Sequence, residues 1–167
     1  MCFFPDYTFD RVEDITPAVL ARLGVRALAL DTDNTLTGDG SQALSASVAA
    51  WLASLRAAGV PAVIVSNNSP ARVRPFAAVC GLPYVAGAKK PLRRSLAAVR
   101  GALGAAPHEI AVVGDQLFTD MAYARRCGMR ALRVEPVGAD VPPFVRFKRK
   151  LERPFLRAVR KRRWCDD

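Results

Sequence analysis

Four short segments hold residues that could work together on one anionic substrate. They are Asp31-Thr32-Asp33-Asn34-Thr35, Ser66-Asn67-Asn68, Lys89-Lys90-Pro91, and Gly114-Asp115 with Asp120 shortly after. Each is weak alone. Loop aspartates are common, Ser-Asn-Asn is ordinary turn chemistry, and a lysine pair usually sits in solvent. Their order is more telling: a carboxylate pair, a hydroxyl, a lysine and a second carboxylate pair follow one another along the chain. No structural role requires that succession.

Phosphoryl transfer explains the set. A phosphomonoester dianion repels a carboxylate nucleophile, so Asp31 can attack phosphorus only beside a neutralising cation. Mg²⁺ prefers oxygen ligands in octahedral geometry and keeps several waters. Asp31 and Asp115 supply two carboxylates, and a backbone carbonyl of the first loop can supply a third oxygen. Lys90 adds a fixed positive charge. Ser66 and neighbouring N–H groups, Asn67 among them, can hold phosphoryl oxygens. Asp33 can protonate the leaving oxygen and later activate water.

The elements between these segments would have to bring them together. Val25–Asp31, Pro61–Val65 and Ile110–Gly114 are short apolar runs that read as buried strands. Pro83–Ala86 reads as a brief strand and Arg130–Val134 as another. Ser45–Ala58, Pro70–Cys80, Pro91–Leu103 and Leu117–Cys127 read as helices. Ser69 precedes Pro70 as an N-cap, and Gly59, Gly81, Gly104 and Gly128 stand at helix ends. Alternating strands and helices predict an α/β fold, a Rossmann-like three-layer sandwich with a central parallel sheet. In such sheets, sites form at the carboxyl ends of the strands.

With these residues in place, the chain resembles the haloacid dehalogenase superfamily of phosphohydrolases. The family's four motifs correspond to DTDNT (31–35), VSN (65–67), KP (90–91) and GDQLFTD (114–120). More narrowly it is similar to the YqeG family, a branch without a cap domain that is related to phosphatidylglycerophosphate phosphatases. The FFPD…DIT and VEPV…RFKRKLER segments add to that likeness. The resemblance implies Asp31 as nucleophile and Asp33 as general acid and base. It implies Ser66 and Lys90 as phosphate ligands, and Mg²⁺ on Asp31, the Asp33 carbonyl and Asp115. Asp120 would hold a metal water or orient Lys90. Thr32 departs from the usual Leu or Phe between the aspartates. The spacings from Thr35 to Ser66 and from Ser66 to Lys90 leave no room for a cap, so the expected site is open to bulky or membrane-bound substrates.

Charge is distributed unevenly. Residues 146–163 hold ten Lys or Arg and one Glu, while the remaining residues hold 15 basic and 14 acidic side chains. The expected organisation is a phosphatase core over 1–145 and a basic amphipathic tail over 146–167, either part of that domain or peripheral to it. Phe144, Phe147, Leu151, Phe155 and Val159 recur at helical spacing, with an interruption expected near Pro154. Each basic residue near an anionic bilayer contributes about 1 kcal/mol. The tail is therefore expected either to contact such a membrane or to pack its apolar stripe on the sheet. The aromatic start (Phe3, Phe4, Tyr7, Phe9) is expected to pack at a sheet edge.

The four cysteines, Cys2, Cys80, Cys127 and Cys165, form no C-x-x-C pair, and His108 stands alone. Zinc ligation is thereby disfavoured, and free thiols are expected, with Cys80 and Cys127 in the core. No apolar run suits a transmembrane helix and the start does not resemble a signal peptide, so a cytoplasmic location is expected. The expected partner is a phosphorylated substrate, foremost phosphatidylglycerophosphate. Alternatives are a nucleotide or nucleic-acid terminal phosphatase, and an RNA-binding module on the same fold. Few aromatics stand where bases could stack, which disfavours nucleic acid. A phospho-accepting receiver domain would place its aspartate after a later strand, where this chain has none.

Overall fold

The computed structural model describes residues 3–138 and 143–164, without the side chains of residues 144, 145, 148, 149, 157 and 160. Six strands form one sheet: β1 (Tyr7–Phe9), β2 (Ala27–Leu30), β3 (Ala62–Val65), β4 (Tyr84–Val85), β5 (Ile110–Gly114) and β6 (Arg130–Val134). Their order is β1-β6-β5-β2-β3-β4, and every pair is parallel. The chain leaves the centre from β2 through β3 to β4, then returns to β5 on the other side of β2. That reversal opens a crevice at the carboxyl ends of the central strands.

The central strands are apolar on both faces because both are covered. Leu28, Leu30, Ile64, Ala111, Val113, Leu132 and Val134 point into one core. Ala27, Ala29, Val63, Val65, Ile110, Val112 and Ala131 point into the other. The first core is closed by α1 (Pro17–Arg22), α2 (Ala46–Ala57) and α3 (Pro70–Cys80). The second is closed by α4 (Leu96–Leu103), α5 (Ala122–Cys127) and Val159 of α6 (Pro143–Arg160). This is the expected three-layer sandwich. Neither the β2–β3 nor the β3–β4 connection carries an inserted domain.

Four local features differ from the sequence reading. β1 adds an edge strand beside β6, built from the aromatic start. The helix expected over 117–127 opens with a π-helical turn, Leu117–Met121, before α5. The one expected over 91–103 begins with a 3₁₀ turn, Arg93–Ser95, before α4. α6 runs through Pro154 without interruption.

The basic segment divides along its length. Val159 and Glu152 are buried. Phe155 packs edge-on against Phe3, Phe4 and Phe118, with centroids 5.0, 6.2 and 5.9 Å away. Beyond α6 the backbone pairs with the sheet edge: Thr8 N–H donates to the Arg162 carbonyl and Trp164 N–H to the Thr8 carbonyl, both at 2.9 Å. Phe147 and Leu151 remain 57% and 50% exposed. Phe144 lies among the side chains outside the description. Cys80 and Cys127 are buried free thiols, and burial pushes the Cys80 thiol up to about 11. Cys2 and Cys165 lie outside the described residues.

Candidate active site

β2, β3 and β5 are neighbours, so their carboxyl ends deliver Asp31, Ser66 and Asp115 to one place. The register is held by backbone bonds: Asp31 N–H donates to the Val113 carbonyl at 2.9 Å and Ser66 N–H to the Val85 carbonyl at 3.0 Å. Asp31, Asp115 and Asp120 each offer a carboxylate oxygen, and these oxygens lie within 4.8 Å of one another. Asp115 and Asp120 are fully buried. Three hard oxygen donors at that spacing fit a divalent cation of the magnesium type. Asp33 contributes no carboxylate to this cluster; its expected part in metal binding rests on its backbone carbonyl.

Lys90 sits among these acids. Its ammonium donates to Asp31 Oδ1 and to Asp120 Oδ1, both at 2.7 Å. The neighbouring Lys89 is exposed and takes a left-handed backbone at φ 55°, so Lys90 is the one that meets the carboxylates. Asn67 fixes the Lys90 backbone at both polar groups: Lys90 N–H donates to Asn67 Oδ1 at 2.6 Å, and Asn67 Nδ2 donates to the Lys90 carbonyl at 3.0 Å. The Asn67 side chain therefore serves the lysine rather than a phosphate. Any phosphate contact from this residue falls to its backbone N–H.

Burial pushes the Asp31 carboxyl up to about 7, against the pull of Lys90, and the Asp120 charge adds to the rise. The two flanking carboxylates hold the Lys90 ammonium well above its ordinary range despite the opposing effect of burial. Thr35 Oγ1 donates weakly to Asp31 Oδ2 at 3.4 Å. Thr32, the residue unlike the family pattern, turns its hydroxyl toward Ser66 Oγ at 3.5 Å and so joins the first two loops. Asn68 N–H donates to Ser66 Oγ at 3.2 Å.

Several supporting residues escaped the sequence reading. Asn68 Nδ2 donates to Asp33 Oδ2 at 2.6 Å, and Arg72 Nη2 to Asp33 Oδ1 at 3.1 Å. Glu152 of α6 accepts from the Phe118 N–H at 3.1 Å, which ties the basic helix to the turn carrying Asp120. A cavity of about 530 Å³ lies between residues 10–13, 35–48 and 135–137. Thr35 is part of its wall, but Asp31, Lys90, Asp115 and Asp120 are not.

A parallel sheet with acids and one lysine at adjacent strand ends defines a site of phosphohydrolase type. The chain belongs to the haloacid dehalogenase-like hydrolases: it matches that family over residues 40–128, more than half its length, a span that includes Ser66, Lys90, Asp115 and Asp120. It is an enzyme of that family's phosphatase kind. Over 160 residues it is 29% identical to "Probable phosphatase YqeG" of Bacillus subtilis (strain 168), covering 96% of this chain and 93% of that one. It is also 28% identical over 149 residues to "Phosphatidylglycerophosphate phosphatase 1, chloroplastic/mitochondrial" of Arabidopsis thaliana. That match covers 83% of this chain but 43% of the relative. The fold resembles the cobalt-bound deoxy-D-mannose-octulosonate 8-phosphate phosphatase of Haemophilus influenzae, with a TM-score of 0.54 and 15% identity. The superposition covers 82% of this chain and 90% of the other.

Two expectations follow from this geometry. A Cβ at position 114 would stand 2.5 Å from Asp120 Cγ. Gly114→Ala is expected to cost about 1–3 kcal/mol by overpacking and to reduce phosphate release by displacing Asp120 from Lys90. Thermal unfolding and a phosphate assay check both effects. The second concerns pH. The folded metal-free protein keeps the Asp31 proton to about pH 7, whereas an ordinary aspartate releases it near 3.8. The folded state therefore binds more protons between those values, and stability falls as pH rises through that window. Urea midpoints of metal-free protein should show this decline in wild type relative to Asp31→Asn. Parallel pH profiles would contradict it.

Proposed function

We propose that the protein hydrolyses phosphomonoesters through an aspartyl-phosphate on Asp31, with Mg²⁺, and that its substrate is phosphatidylglycerophosphate at an anionic membrane surface. The observation that carries the reaction is the meeting of Asp31, Asp115 and Asp120 beside neighbouring strand ends, with the Lys90 ammonium paired to Asp31 and Asp120. Asp31, Asp115 and the Asp33 carbonyl would hold the cation. When bound, it would offset the repulsion between the substrate dianion and the Asp31 carboxylate.

The residues then divide the work. Ser66 Oγ, the Asn67 N–H and Lys90 hold phosphoryl oxygens. Asp120 keeps the Lys90 ammonium at the phosphoryl site. Asp31 forms a bond to phosphorus as the ester P–O bond breaks, and Asp33 gives its proton to the departing oxygen. Asp33 then takes a proton from water as that water attacks phosphorus, which releases phosphate and regenerates Asp31.

The lipid substrate draws support from three sides. The chain is similar to a phosphatidylglycerophosphate phosphatase. Among the described residues no cap covers the site, so a headgroup in a bilayer could reach it. On α6, exposed Phe147 and Leu151 stand among exposed Arg146, Lys150 and Arg153, a composition suited to an anionic interface. Among the described residues no helix is long and apolar enough to cross a membrane. In this reading the protein meets the membrane peripherally, from the cytoplasmic side.

Phosphate release should be measured with magnesium on phosphatidylglycerophosphate, nucleotides and phosphorylated oligonucleotides. The lipid is expected to be preferred, with activity lost in Asp31→Asn and on chelation, and restored by added Mg²⁺. A preference for oligonucleotides would move the substrate to nucleic acid, and silence across the panel would remove the catalytic reading. Retained activity in Asp31→Asn would remove Asp31 as nucleophile. For the membrane, Phe147→Glu with Leu151→Glu should weaken cosedimentation with phosphatidylglycerol vesicles at least about tenfold, given roughly 1.5–3 kcal/mol for each large apolar side chain fully buried. Unchanged binding would rule out this face of α6.

A further inference from the structure

Asp33 is held by a set of donors unlike those around Asp31. Gly40 N–H and Arg72 Nη2 both donate to Asp33 Oδ1, at 3.0 and 3.1 Å. Asn68 Nδ2 donates to Oδ2 at 2.6 Å. The same Arg72 nitrogen reaches Asp39 Oδ1 at 3.4 Å. Arg72 lies in the first turn of α3, whereas Asp33, Asp39 and Gly40 belong to the loop after β2. The arginine therefore fastens the first loop to the helix that follows the second. Asp33, Asn68 and Arg72 line one small recess.

This matters because the site is uncapped. The Asp33 side chain is 26% exposed, and among the described residues no inserted domain lies over it. A short acid on an open loop would otherwise sample several rotamers. Arg72 offers a planar donor group in a fixed geometry. By occupying Oδ1 together with Gly40, it leaves Oδ2, which carries one neutral amide contact, with a lone pair for the transferred proton.

We propose that Arg72 is a positioning residue for general acid catalysis, orienting the Asp33 carboxyl so that Oδ2 faces the leaving oxygen. This rests on the assignment of Asp33 as general acid above. It predicts a dependence on the leaving group. An alkoxide must be protonated as it departs, whereas p-nitrophenolate leaves without a proton. The ratio kcat/KM covers only the steps through leaving-group departure, so the later attack of water does not obscure it.

The test compares glycerol 3-phosphate with p-nitrophenyl phosphate in wild type, Arg72→Ala, Arg72→Lys and Asp33→Asn, each with magnesium. Arg72→Ala should lower kcat/KM for the alkyl phosphate roughly ten- to a hundredfold, and for the aryl phosphate by no more than about threefold. Arg72→Lys should recover part of the loss, and Asp33→Asn should show the same split more strongly. Equal losses on both substrates, no loss, or a gain on the alkyl phosphate in Arg72→Ala would overturn the proposal while the Asp33 assignment stood. An Asp33→Asn enzyme without the split would overturn the acid assignment, and the proposal with it. Thermal unfolding of both arginine variants controls for folding; the Arg72 side chain is 44% exposed, so a small change is expected.

Discussion

The site depends on one buried ammonium set between carboxylates. Lys90 donates to Asp31 and Asp120, and Asp115 stands within the same few ångströms. Fully ionised, three acids and one lysine leave two negative charges in a buried place, which is costly without compensation. That imbalance is met in part by the raised Asp31 carboxyl, and a bound divalent cation would complete it. The same imbalance would thus favour a divalent cation and, with it, a phosphoryl dianion.

Holding such a group requires backbone support, and the surroundings supply it at several levels. Asn67 clamps the Lys90 backbone at its donor and its acceptor. Gln116 N–H donates to Asp120 Oδ2 at 3.2 Å, and Gly114 leaves the space in which the Asp120 side chain lies. The turn bearing Asp120 is in turn anchored to α6, through Glu152 and the packing of Phe118 on Phe155. The basic helix is therefore built into the support of the carboxylate cluster.

The exposed site and the basic helix belong to one functional reading. A capped site would shield small substrates from water, whereas this one leaves Asp33, the proposed acid and base, in partial contact with solvent. Arg72 and Asn68 then do locally what a covering domain could do from above: they restrict the rotamers of Asp33. Phe147, Leu151 and their basic neighbours occupy the part of α6 that does not pack on the core. One helix thus joins the hydrophobic interior to an exposed surface of apolar and basic side chains.

Much was legible in the sequence because its signals are local. Short apolar runs such as ALAL and IAVVG, bounded by turn residues, suit strands of a sheet covered on both faces, and Gly or Pro punctuation marked the helices between them. The order of Asp31, Ser66, Lys90 and Asp115 at strand ends was enough to name the chemistry. The three-residue β1 and the π-helical turn at 117–121 were not legible: the first is too short for a pattern, and the second shares the composition of the helix it begins. The partners of Asp33, the clamp on Lys90 and the link from Glu152 to Phe118 join residues far apart in the chain. Side-chain periodicity says which face a residue occupies, but only strand order and helix packing determine which distant atoms come within hydrogen-bonding reach. The sequence by itself determined the elements and the reactive groups; the tertiary structure decided what orients each of them.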